Sequence, residues 1–127
     1  MGFGETASPD LPITQLPNLQ HDLCVVFVTV GQRDEAEKIA SALVEEKLAA
    51  CCNLVGPIRS VYRWKGEICR DEETLLILKT RREGFEKLRA RVVELHSYTV
   101  PEIIAVPIVA GHAPYLDWVR DETRIQH

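Results

Sequence analysis

Three segments of this chain are apolar at successive positions, not at alternate ones, and this limits its fold more than any other feature. Side chains alternate across a strand, so the β-branched run Cys24-Val25-Val26-Phe27-Val28-Thr29-Val30 places apolar groups on both faces. Thr74 to Thr80 repeats the pattern, with Leu75 and Ile77 on one side and Leu76 and Leu78 on the other, and Ile103 to Val109 is apolar almost throughout. A sheet made of such strands needs cover on both faces. Pro107 removes one ladder donor and marks the last of these strands as an edge or a bulge.

Between the strands the period changes. Ala36, Ile39, Ala40, Leu43, Val44 and Leu48 follow helical spacing, with Glu35, Glu37, Lys38, Glu45 and Glu46 on the other side. Asp34 and Glu35 near the start and Lys47 near the end suit the helix dipole. A second helix is expected from about Glu83 to Leu95, with Phe85, Leu88, Val92 and Leu95 inward, and Pro101 requires extended backbone at Val100 after it. Ala50 to Ile68 reads as the outgoing arm of a hairpin with Lys65-Gly66 as its turn, a bend or bulge at Pro57, and Thr74 to Thr80 as the return arm. A short helix is expected from Ala113 to Arg124.

The expected order is therefore βαββαβ, a ferredoxin-like α+β sandwich with an extra C-terminal helix. Both main helices then lie on one side of the sheet. The opposite apolar face must be covered, and self-association does so most simply because each copy supplies a matching surface.

At 127 residues, 46% hydrophobic and 27% charged, the chain suits one globular domain, expected over residues 21–127. Residues 1–20, with Pro9, Pro12 and Pro17 and little periodicity, read as a flexible tail. A net charge of -4 with bases dispersed among acids argues against nucleic acid as a partner. Apolar runs such as Val25 to Val28 fall far short of the roughly 20 residues that cross a bilayer, so no membrane partner is expected. The first residues lack the basic and apolar regions of a secretory signal, which makes the cytoplasm the expected compartment. Cys24, Cys51, Cys52 and Cys69 form no C-x-x-C pair, and Cys51 and Cys52 read as small buried hydrophobes.

Five ordered stretches resemble the CutA (divalent-cation tolerance) family, and the likeness runs from about Val25 to Trp118. They are Lys47-Leu48-Ala49-Ala50-Cys51-Cys52-Asn53, Ser60-Val61-Tyr62-Arg63-Trp64-Lys65-Gly66-Glu67-Ile68, Glu73 through Thr80, His96-Ser97-Tyr98-Thr99-Val100-Pro101-Glu102-Ile103, and Tyr115-Leu116-Asp117-Trp118. The resemblance implies a compact homotrimer similar to the PII signalling proteins, with long hairpins pairing across subunit edges. It implies a role in tolerance of copper and other divalent metals, and brings no catalytic reaction with it, so an enzyme is not expected. The metal set proposed for some relatives is a cysteine near the end of the first strand, a histidine and a following glutamate. Those positions fall on Val28, on Leu95 beside His96, and on Glu102.

The loop from His96 to Glu102 is the leading candidate site, because it gathers an imidazole, a phenol and a carboxylate between a helix and a strand. His96 and Glu102 together suit copper or another divalent cation, not needed for folding, provided a third ligand arrives from elsewhere. The alternative is that His96 and Tyr98 pack at an interface while Glu102 bonds across it. Tyr62, Trp64, Lys79 and Tyr98 form a second candidate, an intersubunit cleft with aromatic walls and an ammonium to attract an anion, able to hold a small molecule or a partner protein. Their alternative role is as interface anchors. Cys51 or Cys52 with His96 is the one conceivable nucleophile and base pair, and nothing in the sequence brings them together.

Overall fold

The structure is a computed structural model that describes residues 21–124. The tail expected over residues 1–20 therefore lies outside the described residues. The elements are β1 (Leu23–Val30), α1 (Arg33–Glu45), β2 (Cys51–Trp64), β3 (Glu67–Arg81), a 3-10 turn (Arg82–Gly84), α2 (Phe85–Leu95), β4 (Ile103–Pro107) and α3 (Ala113–Glu122). The four strands make one sheet in the order β2-β3-β1-β4, with every neighbouring pair antiparallel. This is the expected βαββαβ order with its additional helix.

The two-faced strands behave as their sequence requires on one side only. Cys24, Val26, Val28 and Val30 of β1 join Leu76 and Leu78 of β3 beneath α1 and α2, where they meet Ala36, Ile39, Ala40 and Leu43, and Leu88 and Val92. That layer is the core. The opposite face carries Val25, Phe27, Leu75 and Ile77, all half-buried, with Val55 43%, Ile104 52% and Val106 44% exposed. Phe27 lies between Ile77 and Ile104 in the register, so this surface is continuous across three strands.

α3 covers one end of this face. Its Val119 packs with Leu23, Ala50, Ile108 and Leu116. The helix is tied down by Arg81, whose guanidinium donates to the Arg120 carbonyl from Nε and Nη2 at 3.2 and 2.7 Å. Arg120 in turn pairs with Asp22 at 2.6 and 3.0 Å.

The hairpin is longer than its apolar pattern suggests, because β3 begins at Glu67 and not near Thr74. The polar stretch Cys69 to Glu73 has no strand periodicity of its own, and its conformation comes from pairing with Ile58 to Tyr62. Lys65 and Gly66 have φ of 51° and 81°, the two positive values of a type I′ turn, so Trp64 and Glu67 face each other across it. The register shifts between Val55 and Ile58, which is the irregularity expected at Pro57. Pairing of β3 with β1 stops at Thr74, so the distal half of the hairpin is a two-stranded ribbon. Its Val61, Tyr62, Trp64 and Ile68 are 62%, 41%, 45% and 49% exposed.

α1 ends earlier than expected. Lys47 sits in the left-handed region with φ 63°, and the Leu48 and Lys47 amides donate back to the carbonyls of Leu43 and Val44, so Leu48 lies beyond the helix. The last strand stops at Pro107, on the sheet edge.

The Asp22–Arg120 pair gives a pH-dependent prediction. Its hydrogen bond to Arg120 holds the Asp22 carboxyl below the usual value of 3.8. A depressed carboxylate stabilises the fold above its unfolded pKa and loses that contribution as pH falls through the folded one. Asp22→Asn should therefore cost up to about 1 kcal/mol at pH 7, the range for an exposed pair. The difference should fade below about pH 4, as read by urea denaturation of both proteins across pH.

Candidate functional site

The loop that joins α2 to β4 is held by the histidine at its start. As α2 ends, the His96 amide donates to Val92 O at 2.8 Å, and the imidazole turns inward until its side chain is 0% exposed. Its Nε2 lies 2.8 Å from the Thr29 carbonyl, which can only accept, so Nε2 carries the proton. Nδ1 then accepts the Tyr98 amide at 3.0 Å. Glu35, in the first turn of α1, accepts from both the amide and the hydroxyl of Ser97 at 3.0 and 3.1 Å. The loop is thereby tied to the end of β1 and the start of α1.

With the loop fixed, Tyr98 projects over Gly31 and toward the hairpin. Its hydroxyl donates to Glu73 Oε2 at 2.8 Å, and a Cβ on Gly31 would lie 2.7 Å from the same oxygen. Glycine is needed there for that close approach. Tyr62, across the ribbon, donates its hydroxyl to Asp71. These groups frame a cavity of about 800 Å³ whose wall includes Thr29, Arg59, Tyr62, Trp64, Tyr98 and Glu102, with Glu73 beside them. The hydrogen bond from Tyr62 to Asp71 pushes the phenol up to about 12, and burial together with Glu73 raises that of Tyr98. Both phenols are neutral at physiological pH.

The sequence candidates are sorted differently from the expectation. Tyr62, Trp64 and Tyr98 do share one cavity. Lys79 does not belong to it: six residues along β3 from Glu73, its ammonium bonds Asn53 Oδ1 and lies 4.0 Å from Cys51 Sγ on the open sheet face. Glu102 is on the cavity wall, whereas His96 is behind Tyr98 and outside the wall. Cys51 and Cys52 are half-buried instead of fully buried. Cys51 lies opposite Lys79 in the register and Cys52 opposite Leu78, on the two faces of the sheet. Burial pushes the Cys52 thiol up to about 12, so it is no nucleophile at neutral pH.

The ligand set proposed for some relatives does not fit the residues present. Val28 is 0% exposed within the core, and Leu95 packs against the same cluster. Both nitrogens of His96 are already bonded. Among the described residues, no group of three or more His, Cys, Asp or Glu side chains is arranged to hold a metal ion.

Asp71, Glu73 and Gly31 were not singled out in the sequence. One of them was within reach: a two-residue turn at Lys65-Gly66 sets Ser60 opposite Asp71, which makes Asp71 the diagonal neighbour of Tyr62. The contact between Tyr98 and Glu73 spans 25 residues and leaves no local trace.

Tyr98→Phe should destabilise the protein by about 1–3 kcal/mol, because it leaves a buried carboxylate oxygen without its donor. Chemical denaturation of the variant reads this directly, and a loss within error of zero would remove the Tyr98–Glu73 bond from the account of the loop.

Comparison with known proteins follows the same outline. Residues 24–122 match the CutA1 family, described as CutA1 divalent ion tolerance protein. The divalent-cation tolerance protein CutA of Thermus thermophilus is 54% identical over 99 residues, covering 78% of this chain and 96% of that protein. The chloroplastic CutA of Arabidopsis thaliana is 49% identical over 79% of this chain, which spans 55% of that longer protein. A solved structure of the Thermus thermophilus protein superposes with a TM-score of 0.79 at 52% identity, over 80% of this chain and 99% of that one. With nearly the whole described region inside the match, the chain belongs to the CutA1 divalent ion tolerance protein family.

Proposed function

We propose that this protein serves in the response to divalent cations as a PII-like homotrimer, its open sheet face and hairpin ribbon covered by two further copies. The observation that carries the assembly is the apolar surface through Phe27, Ile77 and Ile104, continued by a ribbon that has no other strand beside it among the described residues. An isolated two-stranded ribbon is only marginally stable, so Tyr62, Trp64 and Ile68 need neighbours. The cation role is supported by the names of its relatives in Thermus thermophilus and Archaeoglobus fulgidus, both divalent-cation tolerance proteins. Four free thiols, Cys24, Cys51, Cys52 and Cys69, suit the cytoplasm as its compartment.

Copper, or another divalent cation, held by His96 and Glu102 is the finer form of this reading. It requires Nδ1 of His96 to give up the Tyr98 amide, and a third ligand from another copy. Titration of the wild type, His96→Ala and Glu102→Ala with Cu(II) decides the matter. Each substitution is expected to weaken binding by about tenfold or more, since even loss of a group that only supports a ligand costs about 10–100-fold, and identical isotherms for all three would eliminate both ligands.

A second reading, a sensor or scaffold that binds a small molecule or partner at the clefts, is favoured by one observation. The cavity between loop and ribbon is of ligand size, with three aromatic side chains and a few polar groups converging on it.

A further inference from the structure

The cavity has a definite chemical polarity, opposite to the one the sequence suggested. Lys79, expected to draw in an anion, lies elsewhere, and the ionised side chains in and beside the wall are mainly acids. Glu73 is only 8% exposed, yet no Lys, Arg or His among the described residues lies within salt-bridge distance of it. Its Oε2 accepts from Tyr98, while Oε1 accepts from none of the described residues. Among the described residues no buried side-chain oxygen is left without a partner, so Oε1 is accessible, and Glu73 lines the cavity. Glu73 thus presents a largely buried negative charge to the cavity, which a cation would meet favourably. Glu102 stands exposed on the same wall, and the one base there, Arg59, is exposed and faces Glu72 across the ribbon.

The tyrosines add a second, independent constraint. Each has a single hydroxyl proton, and each spends it on a carboxylate, Tyr62 on Asp71 and Tyr98 on Glu73. What their oxygens offer to an occupant is therefore acceptor capacity alone. The indole of Trp64 has the ammonium of Lys65 6.0 Å from its ring centre, and an indole face is the aromatic surface best suited to meet positive charge. A bare metal ion does not match this site, because among the described residues no three His, Cys, Asp or Glu side chains are grouped to hold one and the volume is far larger than one ion. The match is a donor-rich organic cation with an apolar body.

We propose that the cavity between the His96–Glu102 loop and the hairpin ribbon binds a small organic cation, an ammonium or guanidinium group that meets Glu73 and Glu102 while its apolar part lies against Tyr62, Trp64 and Tyr98. This rests on the reading of the cavity as a ligand cleft and adds the charge of the ligand to it.

Three probes of similar shape test the proposal by calorimetric titration of the full chain in its native assembly: phenethylammonium, 2-phenylethanol and 3-phenylpropionate. The cation should bind at least tenfold more tightly than the alcohol, with no binding of the anion. Glu73→Gln, which still accepts the Tyr98 hydroxyl, and Glu102→Gln, which makes no bond to the described residues, should each weaken the cation at least tenfold without changing the circular dichroism. Equal or tighter binding of the alcohol or the anion overturns the cation assignment and leaves the cleft standing. Binding of none of the three overturns both, as when an arginine of a second copy already fills the site. Cation binding that both variants retain unchanged overturns the assignment to these carboxylates.

Discussion

Everything in this fold is arranged around a sheet whose central strands are apolar on both sides while, among the described residues, only one side is fully covered by helices. Val26, Val28, Leu76 and Leu78 are fully buried under α1 and α2, a layer in which each such side chain contributes roughly 1.5–3 kcal/mol. Val25, Phe27, Leu75 and Ile77, their alternates on the same strands, have α3 over one end and, among the described residues, no helix over the rest. The same two strands thus supply both a finished core and an unfinished one. The long β2–β3 hairpin extends the unfinished side beyond the reach of β1, and its aromatic residues are correspondingly exposed.

The candidate site is a consequence of that extension. Because the ribbon leaves the sheet, it leaves space between itself and the loop after α2, and that loop is rigidly placed by the imidazole of His96. Histidine here acts as a strut: one nitrogen donates to β1 and the other accepts from the loop backbone. The chemistry that faces the space belongs instead to residues one step removed, the Tyr98–Glu73 and Tyr62–Asp71 pairs. The acidic groups that face the space are the buried Glu73 and the exposed Glu102, of which the motif alone selects only the second.

What could be read from the chain depended on how local its cause was. Periodicity located β1, both main helices and the two-faced character of β3, since burial on one element leaves a pattern in that element's own residues. The hairpin turn and the irregularity at Pro57 were legible because Lys65-Gly66 and a proline leave few backbone alternatives. The polar start of β3 was not, because Cys69 to Glu73 owe their extended conformation to the opposite strand. Nor was the end of α1, where Lys47 takes a left-handed conformation usually left to glycine. Tyr62, Trp64 and Tyr98, grouped from their side-chain chemistry, line one cavity, whereas Lys79 lies apart from it because side-chain type says nothing about distance along a strand.

The central claim is that further copies of this chain complete its second core, and the solution mass tests it most directly. Sedimentation equilibrium on the intact protein should give about three times the 14.4 kDa chain mass. Phe27→Asp, placed in the middle of the open face and away from the helices, should reduce that mass toward the single chain. A wild-type mass of one chain at micromolar concentration would contradict the account.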